Sequence, residues 1–161
     1  MYLNISKYID LMAQNCNSSA SFKRLLKDVK HIMKNPLEDN NIYYSHSETD
    51  MYTGYALIIG PSDTPYQDGF YFFEFKFTTE YPFSPPKVTY HTNDGITRFN
   101  PNLYRNGKVC LSILNTWRGE QWTSCQNIST ILLTLITIFN KNPLTNEPGY
   151  SDSSSWCEPY S

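Results

Sequence analysis

Residues 19–34 carry the clearest helical period in the chain. Phe22, Leu25, Leu26, Val29, Ile32 and Met33 recur at three- and four-residue steps. Ser19 or Ser21 supplies an N-cap and Asn35-Pro36 a stop, which predicts an amphipathic helix. Its polar face sets Lys23, Lys27 and Lys30 on one stripe with Arg24 beside it. Cations in a first turn oppose the helix dipole, so this stripe reads either as a solvated face or as a docking patch for an acidic partner.

The period then changes to two. Segments 42–47, 51–59, 70–78 and 87–91 are aromatic or β-branched, and the third is the clearest: Phe73, Phe75 and Phe77 alternate with Glu74, Lys76 and Thr78. Tyr55, Leu57 and Ile59 share one face of the second. Gly60-Pro61-Ser62-Asp63 and Gln67-Asp68-Gly69 mark turns, and connections this short favour antiparallel pairing. Tyr81-Pro82-Phe83-Ser84-Pro85-Pro86 must leave the sheet, because its prolines have no donor for a ladder.

Residues 92–124 have little periodicity but many apolar positions: Phe99, Leu103, Tyr104, Val109, Leu111, Ile113, Leu114, Trp117 and Trp122. An ordered loop packed by its own side chains is expected, the kind of segment that carries function. Residues 128–139 are apolar nearly all round, too long for a strand and too short to cross a bilayer. They read as a central buried helix capped by Ser124 or Asn127, with Thr130, Thr134 and Thr137 on one stripe. The fold class expected is α+β: N-terminal helix, four-stranded antiparallel meander, functional loop, central helix. One domain is expected over 19–150, with a loosely held extension over 1–18 (a short helix near 7–12 being possible) and a Ser-rich tail over 151–161.

Composition narrows the function classes. Net charge is −2, so no long-range field draws this chain to nucleic acid or an anionic membrane. Cysteines stand at 16, 110, 125 and 157 without CxxC or zinc-type spacing, and no metal site is expected. Four cysteines admit three disulfide connectivities. Free thiols in a reducing compartment, cytoplasmic or nuclear, are the preferred reading, because the N-terminus lacks a secretory pattern. Cys125 is expected to be packed and Cys157 exposed, neither with an assigned role.

Chemistry concentrates between Arg98 and Leu114, where Cys110 stands among amides and cations. Cysteine is the most nucleophilic side chain at neutral pH. Lys108 and Arg105 would favour its thiolate if they approach, and a loop asparagine can donate to a developing oxyanion. The competing readings are a small buried hydrophobe and a Cys–His hydrolase, for which His31, His46 and His91 are the candidate bases.

Gly60-Pro61-Ser62-Asp63-Thr64-Pro65-Tyr66-Gln67-Asp68-Gly69, Tyr81-Pro82-Phe83-Ser84-Pro85-Pro86-Lys87-Val88, Asn100-Pro101-Asn102, Cys110-Leu111 and Trp122, in this order and spacing, resemble the ubiquitin-conjugating enzyme family over roughly residues 20–150. Residues 98–117 and Asn146-Glu147-Pro148-Gly149-Tyr150 look closest to the branch of the Z-type, O-type and Apollon (BRUCE) enzymes. The resemblance implies the same α+β order. It also implies that Cys110 takes ubiquitin or a ubiquitin-like modifier from an activating enzyme as a thioester and passes it to a substrate lysine, with or without a ligase. No cofactor is implied, since ATP and magnesium serve the activating enzyme.

By the same resemblance, Asn102 is the asparagine of oxyanion stabilisation or loop ordering. Asn100 and Pro101 are its neighbours in the motif. Ser112 stands where many relatives have an acid, and Asn146 and Glu147 loosely match an acidic gate. Phe83 matches a ligase-contacting loop aromatic, Ser124 and Cys125 lie in the second ligase-contacting loop, and Lys23, Arg24 and Lys27 fall in the helix that meets the activating enzyme and ligases.

Departures accompany the match. Asn100 replaces the usual histidine. Trp122-Thr123-Ser124-Cys125 replaces Trp-Ser-Pro-Ala, which puts ordinary ligase docking in question. Trp117-Arg118-Gly119-Glu120-Gln121 lengthens the loop after Cys110. The family's two C-terminal helices are expected to be missing after Tyr150. A catalytically silent ubiquitin-binding or scaffolding module is the alternative function.

Overall fold

The computed structural model describes residues 19–150. The expectations for 1–18, for 151–161, for Cys157 and for the C-terminal helices lie outside the described residues.

Helix α1 spans Ala20–Lys34, with the Ser19 hydroxyl accepting from the Phe22 amide at 3.2 Å, so Ser19 rather than Ser21 is the cap. Strands β1 (Ile42–His46), β2 (Thr53–Ile59), β3 (Phe70–Lys76) and β4 (Lys87–Tyr90) follow. They form an antiparallel sheet in the order β1-β2-β3-β4, the expected meander. Helix α2 covers Ile128–Thr137, and Asn127 caps it by accepting from the Thr130 amide at 3.0 Å. Short 3-10 turns at Ser112–Leu114 and Pro143–Asn146 have too few residues to leave a periodic signal.

The core lies between the sheet and the two helices. Leu25, Val29 and Ile32 of α1 and Ile128, Ile131, Leu132 and Leu135 of α2 meet the inner face, which carries Ile42, Ala56, Ile58, Phe73, Phe75, Val88 and Tyr90. Burying each Val, Leu, Ile or Phe side chain among them contributes about 1.5–3 kcal/mol. The face shared by Tyr55, Leu57 and Ile59 is the outer one, and Tyr55 is 48% exposed. Ala56 and Ile58 are the inward pair, both buried, and Phe73 of β3 stands opposite Ala56.

The 92–124 segment is ordered, with Leu103, Val109, Leu111, Ile113, Leu114 and Trp122 buried. Phe99 departs from expectation at 42% exposed. Its carbonyl is held by the Tyr66 hydroxyl at 3.0 Å, which fixes the backbone and leaves the ring outside. Among the described residues no helix is long and apolar enough to cross a membrane, and no cluster of three His, Cys, Asp or Glu is placed to hold a metal.

Candidate active site

The loop leading to Cys110 begins with a tight turn at Asp94, whose carboxylate accepts from the Ile96 and Thr97 amides and the Thr97 hydroxyl at 2.6–2.8 Å. These donors, Thr97's amide foremost, lower the Asp94 pKa to about 2. Asn100 is fully buried. Its Nδ2 donates to the Tyr66 hydroxyl at 2.8 Å and to the Ile138 carbonyl at 2.9 Å, and its Oδ1 accepts from the Asn102 amide at 2.8 Å. A satisfied amide in this position serves structure. It ties the Thr64-Pro65-Tyr66 turn, the loop and the end of α2 together.

Asn102 in turn holds Cys110. The Cys110 amide donates to the Asn102 carbonyl at 2.8 Å, and Asn102 Nδ2 donates to the Cys110 carbonyl at 2.8 Å. One proton of the side-chain amide thus orders the loop, while Asn102 Oδ1 is buried without a partner. Gly107 makes the return turn possible: at φ +82 its amide donates to the Tyr104 carbonyl, and an added Cβ would sit 2.8 Å from the Tyr90 carbonyl oxygen. Lys108 is exposed, with Nζ 5.7 Å from the Tyr104 ring centre.

Beyond Cys110 the chain turns through Ser112–Leu114, and Asn115 ends the turn in the left-handed region. Thr116 then folds back onto the Cys110 segment. Its hydroxyl accepts from the Leu111 amide at 2.9 Å and sits 2.8 Å from the Val109 carbonyl oxygen, to which it donates. One side chain therefore holds the peptide groups on both sides of Cys110. Nothing in the periodicity marks Thr116, because its partners are reached only through the turn. The lengthened segment lies against Ser112: a Cβ on Gly119, at φ +128, would come 3.1 Å from Ser112 Cβ. Cys110 itself is 2% exposed and, with Cys125, is a free thiol.

Asn146 and Glu147, the expected gate, join the same network. Arg98 donates to the Pro101 carbonyl and to Glu147 Oε1 at 2.8 Å, with its guanidinium carbon 4.4 Å from the Tyr104 ring centre. Asn146 donates to the Ile138 carbonyl at 3.2 Å, the oxygen that Asn100 also uses. Asn100, Pro101, Asn102, Cys110, Asn146 and Glu147 are thus linked, and Arg98 is the connecting residue that reading the sequence missed.

A second cluster gathers the docking candidates. Arg24 bonds Asp28 Oδ2 at 2.8 Å and the Ser124 and Gln126 carbonyls at 2.6 and 2.7 Å. Asp28 also accepts from the Tyr81 hydroxyl at 2.6 Å, and burial together with that carboxylate raises the Tyr81 pKa far above its ordinary value. The Trp122 indole donates to the Pro82 carbonyl at 2.6 Å, joining the Phe83 loop to the Ser124–Cys125 loop. Phe83 is 83% exposed, and Lys23 and Lys27 are exposed on α1. Arg24 instead spends its donors inside the molecule. Cys125, expected to be packed, is exposed, because the surrounding bonds hold its backbone neighbours and leave its side chain outside.

A family model described as "Ubiquitin-conjugating enzyme" matches residues 24–156. The chain belongs to the ubiquitin-conjugating enzyme family. Ubiquitin-conjugating enzyme E2 Z of Homo sapiens is 44% identical over 128 residues, which cover 79% of this chain and 36% of that protein. Probable ubiquitin-conjugating enzyme protein 17 of Caenorhabditis elegans is 44% identical over 135 residues, 80% of this chain and 18% of the relative. The chain therefore spans well under half the length of these curated relatives. The solved structure of human ubiquitin-conjugating enzyme E2 G1 superposes with a TM-score of 0.64 at 30% identity, covering 74% of this chain and 94% of that one. Fold class and family agree with expectation, and the E2 Z relatives support the Z-type branch.

Proposed function

We propose that this ubiquitin-conjugating family member is an active transferase that carries its modifier on Cys110. The observation that supports it best is the reciprocal pair of hydrogen bonds between Asn102 and Cys110, at 2.8 Å each way. They hold the family's cysteine and asparagine in register across the loop.

In loading, the Cys110 thiol gives its proton to water and the thiolate attacks the thioester carbonyl of the modifier's C-terminal glycine. A new C–S bond forms, the bond to the activating enzyme's cysteine breaks, and that sulfur leaves with the electron pair. In transfer, a neutral lysine amine attacks the same carbonyl. The C–N bond forms, Cys110 sulfur leaves, and the surplus amine proton passes to water. Both steps depend chiefly on placement. Cys110 is 2% exposed, so the residues over its sulfur must yield as the thioester enters.

In this geometry one Nδ2 proton of Asn102 orders the loop through the Cys110 carbonyl, and the second is left to donate to the oxyanion that develops during transfer. Ser112 brings no carboxylate and Glu147 is paired with Arg98, so neither is a ready base for the amine. The modifier is ubiquitin or a ubiquitin-like protein. The activating enzyme supplies the ATP chemistry, and ligases dock through Phe83, Lys23 and Lys27. A reducing compartment, cytoplasm or nucleus, suits a thiol nucleophile.

The test is a charging assay with ubiquitin-activating enzyme, ubiquitin and Mg-ATP, run on gels with and without reductant. A reductant-sensitive adduct lost in Cys110→Ala and kept in Cys125→Ala is expected. No adduct with ubiquitin or with other modifiers and their matched activating enzymes would point to the silent scaffold.

A further inference from the structure

The Cys110 segment is one arm of a short hairpin, and the register of that hairpin sorts its side chains. The Cys110 amide donates to the Asn102 carbonyl at 2.8 Å, Leu103 bridges Val109 in antiparallel pairing, and the Tyr104 amide donates to the Lys108 carbonyl at 2.9 Å. The opposed pairs are therefore Asn102 with Cys110, Leu103 with Val109, and Tyr104 with Lys108. Side chains alternate between the two faces of an extended arm. Leu103 and Val109, each 1% exposed, take the face toward the core. Asn102, Tyr104, Lys108 and Cys110 take the opposite face, and the Lys108 amine accordingly lies 5.7 Å from the Tyr104 ring centre.

Lys108 is thus the next side chain along the face that carries Cys110. Two positions on an extended arm separate Cα atoms by about 7 Å. A lysine stem spans about 6 Å from Cα to Nζ. Rotation about its own side-chain bonds can therefore bring the amine to about 3–3.5 Å from an acyl carbon held on Cys110 Sγ, a near-attack distance. The backbone of Lys108 is fixed on both sides: its amide donates to Asn106 Oδ1 at 3.0 Å and its carbonyl accepts from Tyr104. The side chain is exposed, and among the described residues no carboxylate forms an ion pair with it. Arg98 approaches the Tyr104 ring more closely, at 4.4 Å, and a cation at an exposed ring is only weakly held. Lys87 lines the same groove as Lys108 from the β4 side and is the competing acceptor. Only Lys108 is tied to Cys110 through two peptide units.

We propose that Lys108 is a modification site: when no substrate is present it accepts the modifier from Cys110 of its own chain. The neutral Lys108 amine attacks the thioester carbonyl and a C–N bond forms. The C–S bond breaks, Cys110 leaves as the thiolate, and the surplus amine proton passes to water. The product is an isopeptide two residues from the freed Cys110, where a folded modifier would cover the thiol. Charging without a substrate therefore limits itself. The inference rests on the transferase reading.

The experiment charges the full chain with activating enzyme, ubiquitin and Mg-ATP, without substrate or ligase. Gels run with reductant and mass spectrometry of tryptic peptides then locate any isopeptide. A reductant-resistant adduct on Lys108 is expected, formed at a first-order rate that dilution of the charged chain leaves unchanged. Lys108→Arg keeps the charge and should cut that adduct by about tenfold or more, since any other lysine lacks the same placement. Its reductant-sensitive thioester should accumulate instead. Lys87→Arg should leave the adduct as it is.

An isopeptide on Lys87, or one spread over many lysines, would overturn the proposal. So would a rate that falls in proportion to dilution, or modification of a Cys110→Ala chain mixed with charged Lys108→Arg enzyme, because both mark transfer between molecules. A short peptide ending in glycine, supplied as an aryl thioester, tests the same step without an activating enzyme. An amide on Lys108 is expected in the parent and not in Cys110→Ala. Equal acylation of Lys108 in both, or an acyl group that stays on Cys110 sulfur, would also overturn it. Failure of every activating enzyme to charge the chain would refute the transferase reading, while the peptide result would still decide Lys108.

Discussion

Asn102 and Cys110 are joined twice across eight residues: amide to carbonyl in one direction, side-chain Nδ2 to carbonyl in the other. Replacing Asn102 with Ala removes the second bond and leaves a buried carbonyl without its donor. A loss of about 1–3 kcal/mol follows from that unmet acceptor. Transfer to lysine is expected to slow with loading largely kept, as single-turnover discharge beside urea unfolding would register. Equal loss of loading would mean that the loop has collapsed.

Thr116 offers a cleaner separation of position from stability, because its partners are the peptide groups either side of Cys110. Thr116→Val keeps the shape and removes the hydroxyl; Thr116→Ser restores it. Loading should fall severalfold in the valine variant at a stability loss of about 1 kcal/mol. The serine variant should recover it. Alkylation of Cys110 across a pH series, followed by mass spectrometry, reads the same change without any partner enzyme, and identical profiles in the two variants would remove Thr116 from the site.

Arg24, Lys23 and Lys27 share one helix and have different expected phenotypes. Arg24→Ala abandons two carbonyls and the nearly buried Asp28, so stability should drop by about 2–3 kcal/mol. Lys23→Ala and Lys27→Ala are exposed changes and should stay within about 0.5 kcal/mol of the parent, while charging by the activating enzyme slows. Thermal melts paired with charging rates distinguish the two patterns.

Phe83 stands almost wholly in solvent, so Phe83→Ala should leave folding and loading as they are and weaken stimulation by ligases. Discharge titrated against several ligases is the measurement, and unchanged stimulation by all of them would remove Phe83 from the docking surface.

His46 predicts a pH response. Its Nε2 donates to the Met51 carbonyl at 3.0 Å, so in the neutral ring Nδ1 accepts from the Tyr44 hydroxyl at 2.8 Å. Burial lowers its pKa below the ordinary 6.5, against smaller opposing effects of the Met51 bond and Asp50. The unfolded chain therefore binds the proton more readily, and stability is lost as pH falls below about 6.5 toward the folded pKa. Urea midpoints measured from pH 7.5 to 5 should decline, and decline less in His46→Gln. A level profile in the parent would contradict this assignment.

The elements were legible where their signal is local. The stripe Phe22–Met33, the alternation Phe73-Phe75-Phe77 and the prolines from 82 to 86 each state a preference within a few residues, and α1, β3 and the exit from the sheet follow them. Element ends shifted by a few residues, as with β2 beginning at Thr53, because hydrogen bonds from partner strands set the limits. The Cys110 segment was legible through family motifs, whereas no period of its own marked it.

What the sequence by itself determined was the α+β order, the antiparallel meander, the family and the candidate cysteine with its asparagine. These depend on side-chain periodicity, turn chemistry and motif spacing, all carried along the chain. Only the tertiary structure decided that Arg24 is turned inward to Ser124 and Gln126, that Thr116 braces both sides of Cys110, that Arg98 joins Glu147 to the loop, and that Lys87 and Lys108 share a groove. Each is a contact between segments whose separation along the chain says nothing of their distance in space; burial of the common core brings them together, and unmet donors and acceptors then choose their partners.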